Sequence, residues 1–309
     1  MTVVWVLVGI IGVIGLMDLW VRLVYRYPRR PHSSTPAAFD IPFSEVRFAT
    51  RRKRRLYGWW IPARVPDPPA TLILVHGWGR NIERTMPYVR HLHPLGYDLL
   101  TIDLRGHGSS DPDRYPNLLM FSEDIRAAVD FVVQRASGEA RSIGVIGLSV
   151  GGGAAIHAAA HDDRINSVVT VGAMAHPIDV MRPEFEKRHV PYFPVVWLTF
   201  AYLQLRIGAR FDQFAPVNVI ENADARILLV HGEEDAVVPI AQGRALVQAG
   251  NPETVSLWAI PGKGHSDCHE EPDFWSRVDA FLREGIASRR AVTSGRSVDD
   301  PAGRRGATT

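Results

Sequence analysis

Between Thr71 and Ile260 the chain repeats one pattern: a short, almost continuous apolar run, a glycine-containing turn, then a helical stretch. The runs are TLILVHG, YDLLTID, SIGVIGL, NSVVTVG, ARILLVHG and TVSLWAIPG. A strand that is apolar on both faces must be covered on both faces. Strands that alternate with helices become parallel neighbours joined by crossovers. This one feature confines the chain to a mostly parallel sheet with helices on either side. Two further strands are expected near Glu45–Thr50 and Leu56–Ile61, with the basic cluster Arg51–Arg55 as their turn, which brings the sheet to eight strands. Helices are expected around Ile82–Leu92, from Ser122 (as N-cap) to Gln134, and from Val150 to Ala160.

The rhythm breaks once. Residues 175–222 are aromatic and dotted with proline (HVPYFPVVWLTFAYLQL), and read as a short helical cap inserted over the sheet's edge. The expected layout is an anchor over residues 1–27, a proline-rich linker over 28–43, one α/β domain over 44–287 and a disordered tail over 288–309. At 309 residues the chain is long enough for one large domain.

The anchor rests on VVWVLVGIIGVIGLMDLWVRLVY, residues 3–25, apolar but for Asp18 and Arg22. About 20 apolar residues span a bilayer core. Asp18 and Arg22 are spaced to share a helix face. Trp5, Trp20, Tyr25 and Tyr27 suit the two interfaces, and the positive charge follows the run, so a single-pass span with the body in the cytoplasm is expected. Of the 35 lysines and arginines, 14 lie in three clusters, behind the apolar run, at Arg51–Arg55 and in the tail, and the rest of the chain is net acidic. A nucleic-acid partner is not expected, because no recognition motif or basic body accompanies the clusters. The single cysteine, Cys268, rules out an internal disulfide.

Gly147-Leu148-Ser149-Val150-Gly151 carries the chemistry. It fits Gly-x-Ser-x-Gly and lies between an apolar strand and a helix of small residues. There a serine rides on a strained turn, and side chains beside it would collide. A serine hydroxyl needs a base, and the base needs an orienting group. Of 12 histidines, His265 in AIPGKGHSD is best placed, on the loop after the last strand, because such sheets gather their sites at the carboxyl ends of strands. His269 is a nearby competitor, while His76, His107 and His231 sit in turns where imidazoles brace backbone. Asp235 in LLVHGEEDAVVP is the foremost acid, with Glu233, Glu234 and Asp267 as alternatives. An oxyanion needs two backbone N–H donors. Val150 supplies one, and Trp78 in HGWG is placed for the other.

Together VHGWG, DLRGHGSSD, GLSVGG, VHGEEDAVVP and PGKGHSD resemble, in order and spacing, the motifs of the α/β-hydrolase superfamily. They are most similar to its serine esterase, lysophospholipase-like and peptidase-like branch. The resemblance covers roughly residues 44–285. It implies Ser149 as nucleophile, Asp235 as acid, His265 as base, and Trp78 and Val150 as oxyanion donors. It also implies that Arg105, His107 and Gly108 shape a loop without taking part in catalysis. Trp78 is bulkier than the small residue usual at its turn, which would narrow the acyl pocket.

The expected function is hydrolysis of a carboxylic ester or thioester through an acyl-enzyme, with no cofactor and no metal. An acyl-chain or lipid-like ester is the favoured substrate. A peptidase or amidase of the same fold is the alternative, and a non-catalytic, membrane-tethered binding protein a more distant one. The oligomeric state is left open by the sequence.

Overall fold

The computed structural model describes residues 1–24, 29–136 and 142–295. An N-terminal helix, α1 (Thr2–Val24), precedes a hairpin of β1 (Ser44–Thr50) and β2 (Arg54–Ile61). Then follow β3 (Thr71–Val75), α2 (Met86–Leu92), β4 (Asp98–Asp103), α3 (Leu118–Arg135), β5 (Ile143–Leu148), α4 (Val150–Ala159) and β6 (Ile165–Val171). The insertion folds as α5 (Pro177–Glu186), α6 (Trp197–Ile207) and two single turns, α7 (Phe211–Phe214) and α8 (Pro216–Val219). The chain closes with β7 (Arg226–Gly232), α9 (Ile240–Ala249), β8 (Val255–Ile260) and α10 (Phe274–Gly295).

The eight strands form one sheet in the order β1-β2-β4-β3-β5-β6-β7-β8. Only β1–β2 and β2–β4 pair antiparallel; from β4 onwards every pairing is parallel. The mostly parallel architecture expected from the apolar runs is the one observed. Alternate residues of each central strand feed opposite faces. Ile73, Val75, Val145 and Val168 pack with α3, α4 and the cap. Leu72, Leu74, Ile146 and Val169 pack with α2 and α10.

Two local expectations change. Helix α3 begins at Leu118, not at Ser122, because Asn117 takes the N-cap: its side chain accepts the Met120 N–H at 3.1 Å. Ser122 lies inside the helix, with its hydroxyl 2.8 Å from His157 Nδ1. The stretch from Ile82 starts as a 3₁₀ turn, Ile82–Thr85, and becomes α-helical only at Met86.

The N-terminal anchor is overturned. Among the described residues no helix is long and apolar enough to cross a membrane. The single-pass localisation, its orientation and the membrane partnership fall with it. The second half of α1 is used instead for docking on the protein's own surface. Asp18 accepts hydrogen bonds from Tyr115 and from Tyr202 (2.7 Å) and pairs with Arg22 at 2.6 Å. Trp20 donates to Thr199 at 3.3 Å, and Val21 is fully buried in the core beside the cap. The two tyrosine hydroxyls, and then the charges of Arg22 and Arg206, outweigh desolvation and hold the Asp18 carboxyl near 2. Tyr25 and Tyr27, assigned to an interface, lie outside the described residues.

The segment after α1 is pinned to the domain. Arg29 donates to the carbonyls of Gly108 and Ser110, Asn81 donates to those of Arg30 and Pro31, and His32 Nε2 lies 2.8 Å from Asp103 Oδ2. Burial opposes protonation of His32, but the hydrogen bond and charge of Asp103 prevail and raise its pKa above the ordinary imidazole value. A raised folded-state pKa gives stability that is full below the unfolded value, about 6.5, and is lost as pH rises through the folded one. Hydrogen exchange of residues 29–34, corrected for intrinsic rate, is therefore expected to show weaker protection at about pH 8 than at about pH 6. In His32→Asn that step should vanish. A step that persists in the variant would assign it to another group.

Candidate active site

The loops leaving the carboxyl ends of β3, β5, β6, β7 and β8 converge on one point. Ser149 stands between β5 and α4 with φ 55° and ψ −122°, a backbone conformation few side chains tolerate. Its N–H donates to Val171 O at 2.8 Å, which fixes the turn against the end of β6. The glycines on either side are needed for close approach. A Cβ on Gly147 would come within 2.4 Å of Gly151 O, and one on Gly151 within 2.5 Å of His76 O.

His265 Nδ1 lies 2.7 Å from Asp235 Oδ2. The other oxygen of Asp235 accepts the N–H groups of Val237 (2.9 Å) and Val238 (2.8 Å). Burial works against ionisation of Asp235, but the bond from His265 and these two N–H groups outweigh it, so its pKa is lowered. An ionised carboxylate can only accept, so Nδ1 carries a proton, and in the neutral imidazole the lone pair is then on Nε2.

Gly172, which the sequence reading passed over, underlies this pair. Its φ is +64°, and a Cβ there would sit 3.0 Å from His265 Nδ1 and 3.2 Å from Asp235 Oδ2. Val171 holds the Ser149 N–H and Gly172 passes under the imidazole, so two successive residues register the serine against the histidine. The only sequence signal was a glycine directly behind the fourth parallel run.

The other candidate residues make different contacts. His76 Nε2 accepts the Leu104 N–H at 3.1 Å, leaving Nδ1 to donate to Gly77 O at 2.7 Å. His231 Nε2 donates to Val238 O at 2.7 Å. His107 Nε2 accepts the Gly79 N–H at 3.0 Å. His269 lies among the rings of Tyr88 and Trp275. Glu233 and Glu234 are exposed, and Asp267 accepts the Gly264 N–H at 2.7 Å, bracing the His265 loop. Cys268 packs under that loop, and burial pushes its thiol up to about 12.

The β3 loop runs alongside the serine. A Cβ on Gly77 would lie 3.2 Å from Ser149 Cβ and 3.8 Å from its Oγ. Trp78 follows directly, its ring edge-on to His107 and tilted against Phe121. Val150 opens α4, so its N–H has no acceptor within the helix. Ser149, His265, Trp78 and Val150 all line one cavity of about 580 Å³, a size usual for small-molecule sites. The cap supplies much of its wall, including Val180, Met181, Phe185, Leu203 and Phe211. Among the described residues no group of three or more His, Cys, Asp or Glu side chains is arranged to hold a metal ion.

The topology, the serine turn between β5 and α4 and the crossover cap between β6 and β7 decide the architecture. The fold is that of the α/β-hydrolases. Residues 66–207 match the family model described as serine aminopeptidase, S33. The esterase Pf2001 of Pyrococcus furiosus superposes with a TM-score of 0.67 at 23% identity, over 84% of this chain and 99% of that one. Rv2307c of Mycobacterium tuberculosis, itself uncharacterised, is 24% identical over 82% of this chain and 83% of its own length. YqkD of Bacillus subtilis, also uncharacterised, is 24% identical over 59% of this chain, and the match spans 60% of YqkD. These similarities agree with the α/β-hydrolase fold seen in the sheet and its crossovers.

Proposed function

We propose that this α/β-hydrolase is a serine hydrolase that cleaves a carboxylic ester or thioester through an acyl-enzyme. The observation that carries the reading is the Asp235–His265 pair, set over Gly172, sharing a cavity with a serine on a strained turn. Ser149 Oγ attacks the substrate carbonyl and His265 Nε2 takes its proton. Asp235 holds the imidazole in that tautomer and stabilises the imidazolium that forms. The N–H groups of Val150 and Trp78 receive the oxyanion, each such donor being worth about 2.7–4 kcal/mol of barrier. His265 then returns the proton to the leaving group, and water, deprotonated by the same nitrogen, releases the acid. The apolar cap wall favours an acyl-chain substrate, and the esterase Pf2001 among the neighbours supports ester chemistry.

A peptidase or amidase is the second reading, favoured by the aminopeptidase description of the matching family model. A fluorophosphonate probe followed by peptide mass mapping tests the shared step, and the adduct is expected on Ser149. Nitrophenyl esters of graded acyl length, run beside aminoacyl nitroanilides, separate the two chemistries. Turnover of the esters and of none of the nitroanilides is expected, and turnover of a nitroanilide would favour the second reading. A protein that neither takes the label nor hydrolyses either class would overturn the proposal.

A further inference from the structure

Among the described residues the cavity lining carries four formally charged side chains: Arg80, Arg84, Arg188 and Glu184. Three are guanidinium groups, and they come from two separate elements. Arg80 and Arg84 follow β3, directly behind the Trp78 turn, and Arg188 follows the carboxyl end of α5 in the cap. The lone carboxylate is already engaged, because Glu184 accepts from Lys187 Nζ at 2.8 Å. Arg84 donates to Ser266 O at 2.9 Å, next to His265, and so is held at the reacting end of the cavity. Among the described residues, neither Arg80 nor Arg188 has an acidic side chain within ion-pair distance. All three arginines line the same cavity against one carboxylate, so its lining carries net positive charge, which suits an anion.

We propose that Arg80, Arg84 and Arg188 form an anion-recognition site, so that the preferred substrate is an amphipathic ester carrying a carboxylate or phosphate on the alcohol side of the scissile bond. This rests on the serine hydrolase reading and adds to it the class of leaving group. The acyl chain lies on the cap's Met181, Phe185 and Leu203, while the guanidinium groups take the anion. Arginine suits either anion, since its planar fork matches both carboxylate and phosphate oxygens.

Two matched pairs of probes test this on the full chain. One is octanoyloxy-nitrobenzoate, whose leaving group bears a carboxylate, against neutral nitrophenyl octanoate. The other is lauroyl glycerol phosphate against neutral monolauroyl glycerol, both below micelle formation. The anionic member of at least one pair is expected to have kcat/KM about tenfold or more above its neutral partner, chiefly through KM. That preference should shrink with added salt, because Arg80 and Arg188 are exposed to solvent ions. In Arg80→Gln/Arg188→Gln the ratio should fall towards one, in Arg80→Lys it should fall part of the way because an ammonium keeps the charge but not the fork, and in Arg188→Glu it should invert. A phosphate-only preference identifies the anion as phosphate, and a preference in both pairs identifies an unselective anion site. If Ser149 takes the fluorophosphonate and neutral esters turn over, but anionic ones are no better, this inference is overturned and the serine hydrolase reading stands. If no ester turns over and Ser149 stays unlabelled, both fail together.

Discussion

Ser149→Ala is expected to lower kcat/KM for a neutral nitrophenyl ester by about 10⁴-fold or more, the range seen when a triad serine is removed. The loss should lie in kcat, because the hydroxyl forms its bond only as the reaction proceeds. His265→Ala should cost a similar factor, and Ser149→Ala/His265→Ala little more than either alone, since members of one catalytic unit are not additive. Asp235→Asn keeps the 2.7 Å contact but can present its amide N–H to Nδ1, which favours the wrong tautomer and costs on the order of 10⁴-fold in the serine-protease precedent. The backbone adds an independent check. Ser149 pays for its position with a left-handed φ of 55°, and such strain is worth about 1–3 kcal/mol. Ser149→Gly should therefore be inactive yet more stable than the parent by about 1 kcal/mol in urea unfolding, after the entropic cost of glycine. Ser149→Ala keeps the strain and should melt like the parent. Full activity in Ser149→Ala would remove the serine from the mechanism.

Much of the geometry around the candidate site could be read from the chain because it is local. A strained serine turn of this kind needs small residues at fixed offsets, and Gly147 and Gly151 sit against backbone that leaves no room for a Cβ. The six apolar runs were legible for the same reason: burial on both faces leaves an unbroken pattern. The role of Gly172 was not legible, since the atoms that demand a glycine there, His265 Nδ1 and Asp235 Oδ2, lie 93 and 63 positions away in sequence numbering. Asn117 was overlooked because Ser122 offered an equally plausible cap, and only the Met120 N–H decides between them. The N-terminal run misled in a more instructive way. Its apolar residues satisfy a length rule, but what occupies Asp18, the hydroxyls of Tyr115 and Tyr202, comes from a loop and a cap helix that hydropathy cannot place next to it.

The largest effect expected on stability lies away from the reacting atoms, at Arg105. This side chain is fully buried. Its Nε is 2.6 Å from Asp124 Oδ1, one terminal nitrogen is 2.6 Å from Glu123 Oε2 and 2.7 Å from Met120 O, and the other is 3.5 Å from Asp113 Oδ2. Removing the cation strands buried acceptors, a change that typically costs about 3–5 kcal/mol. Arg105→Met is therefore expected to lower the free energy of unfolding by that amount. The deficit should depend on pH. Burial raises the pKa of Asp124, and Arg105 is the largest influence lowering it. Without Arg105 the folded-state value rises further. A raised folded-state pKa gives stability that is present below the unfolded value and lost as pH rises through the folded one. The variant should thus be closest to the parent near about pH 5 and furthest from it near about pH 8. Arg105→Met/Asp124→Leu should recover much of the loss, since an apolar pair leaves no orphaned charge. The cost should reach the active site as well. The loop that Arg105 anchors carries His107, whose Nε2 accepts the Gly79 N–H beside Trp78. Loosening that loop frees the Trp78 turn, and with the Trp78 N–H as the proposed oxyanion donor, kcat on a neutral ester should fall by about tenfold or more. A variant that loses stability but keeps full kcat would show that the Trp78 turn is held by other contacts.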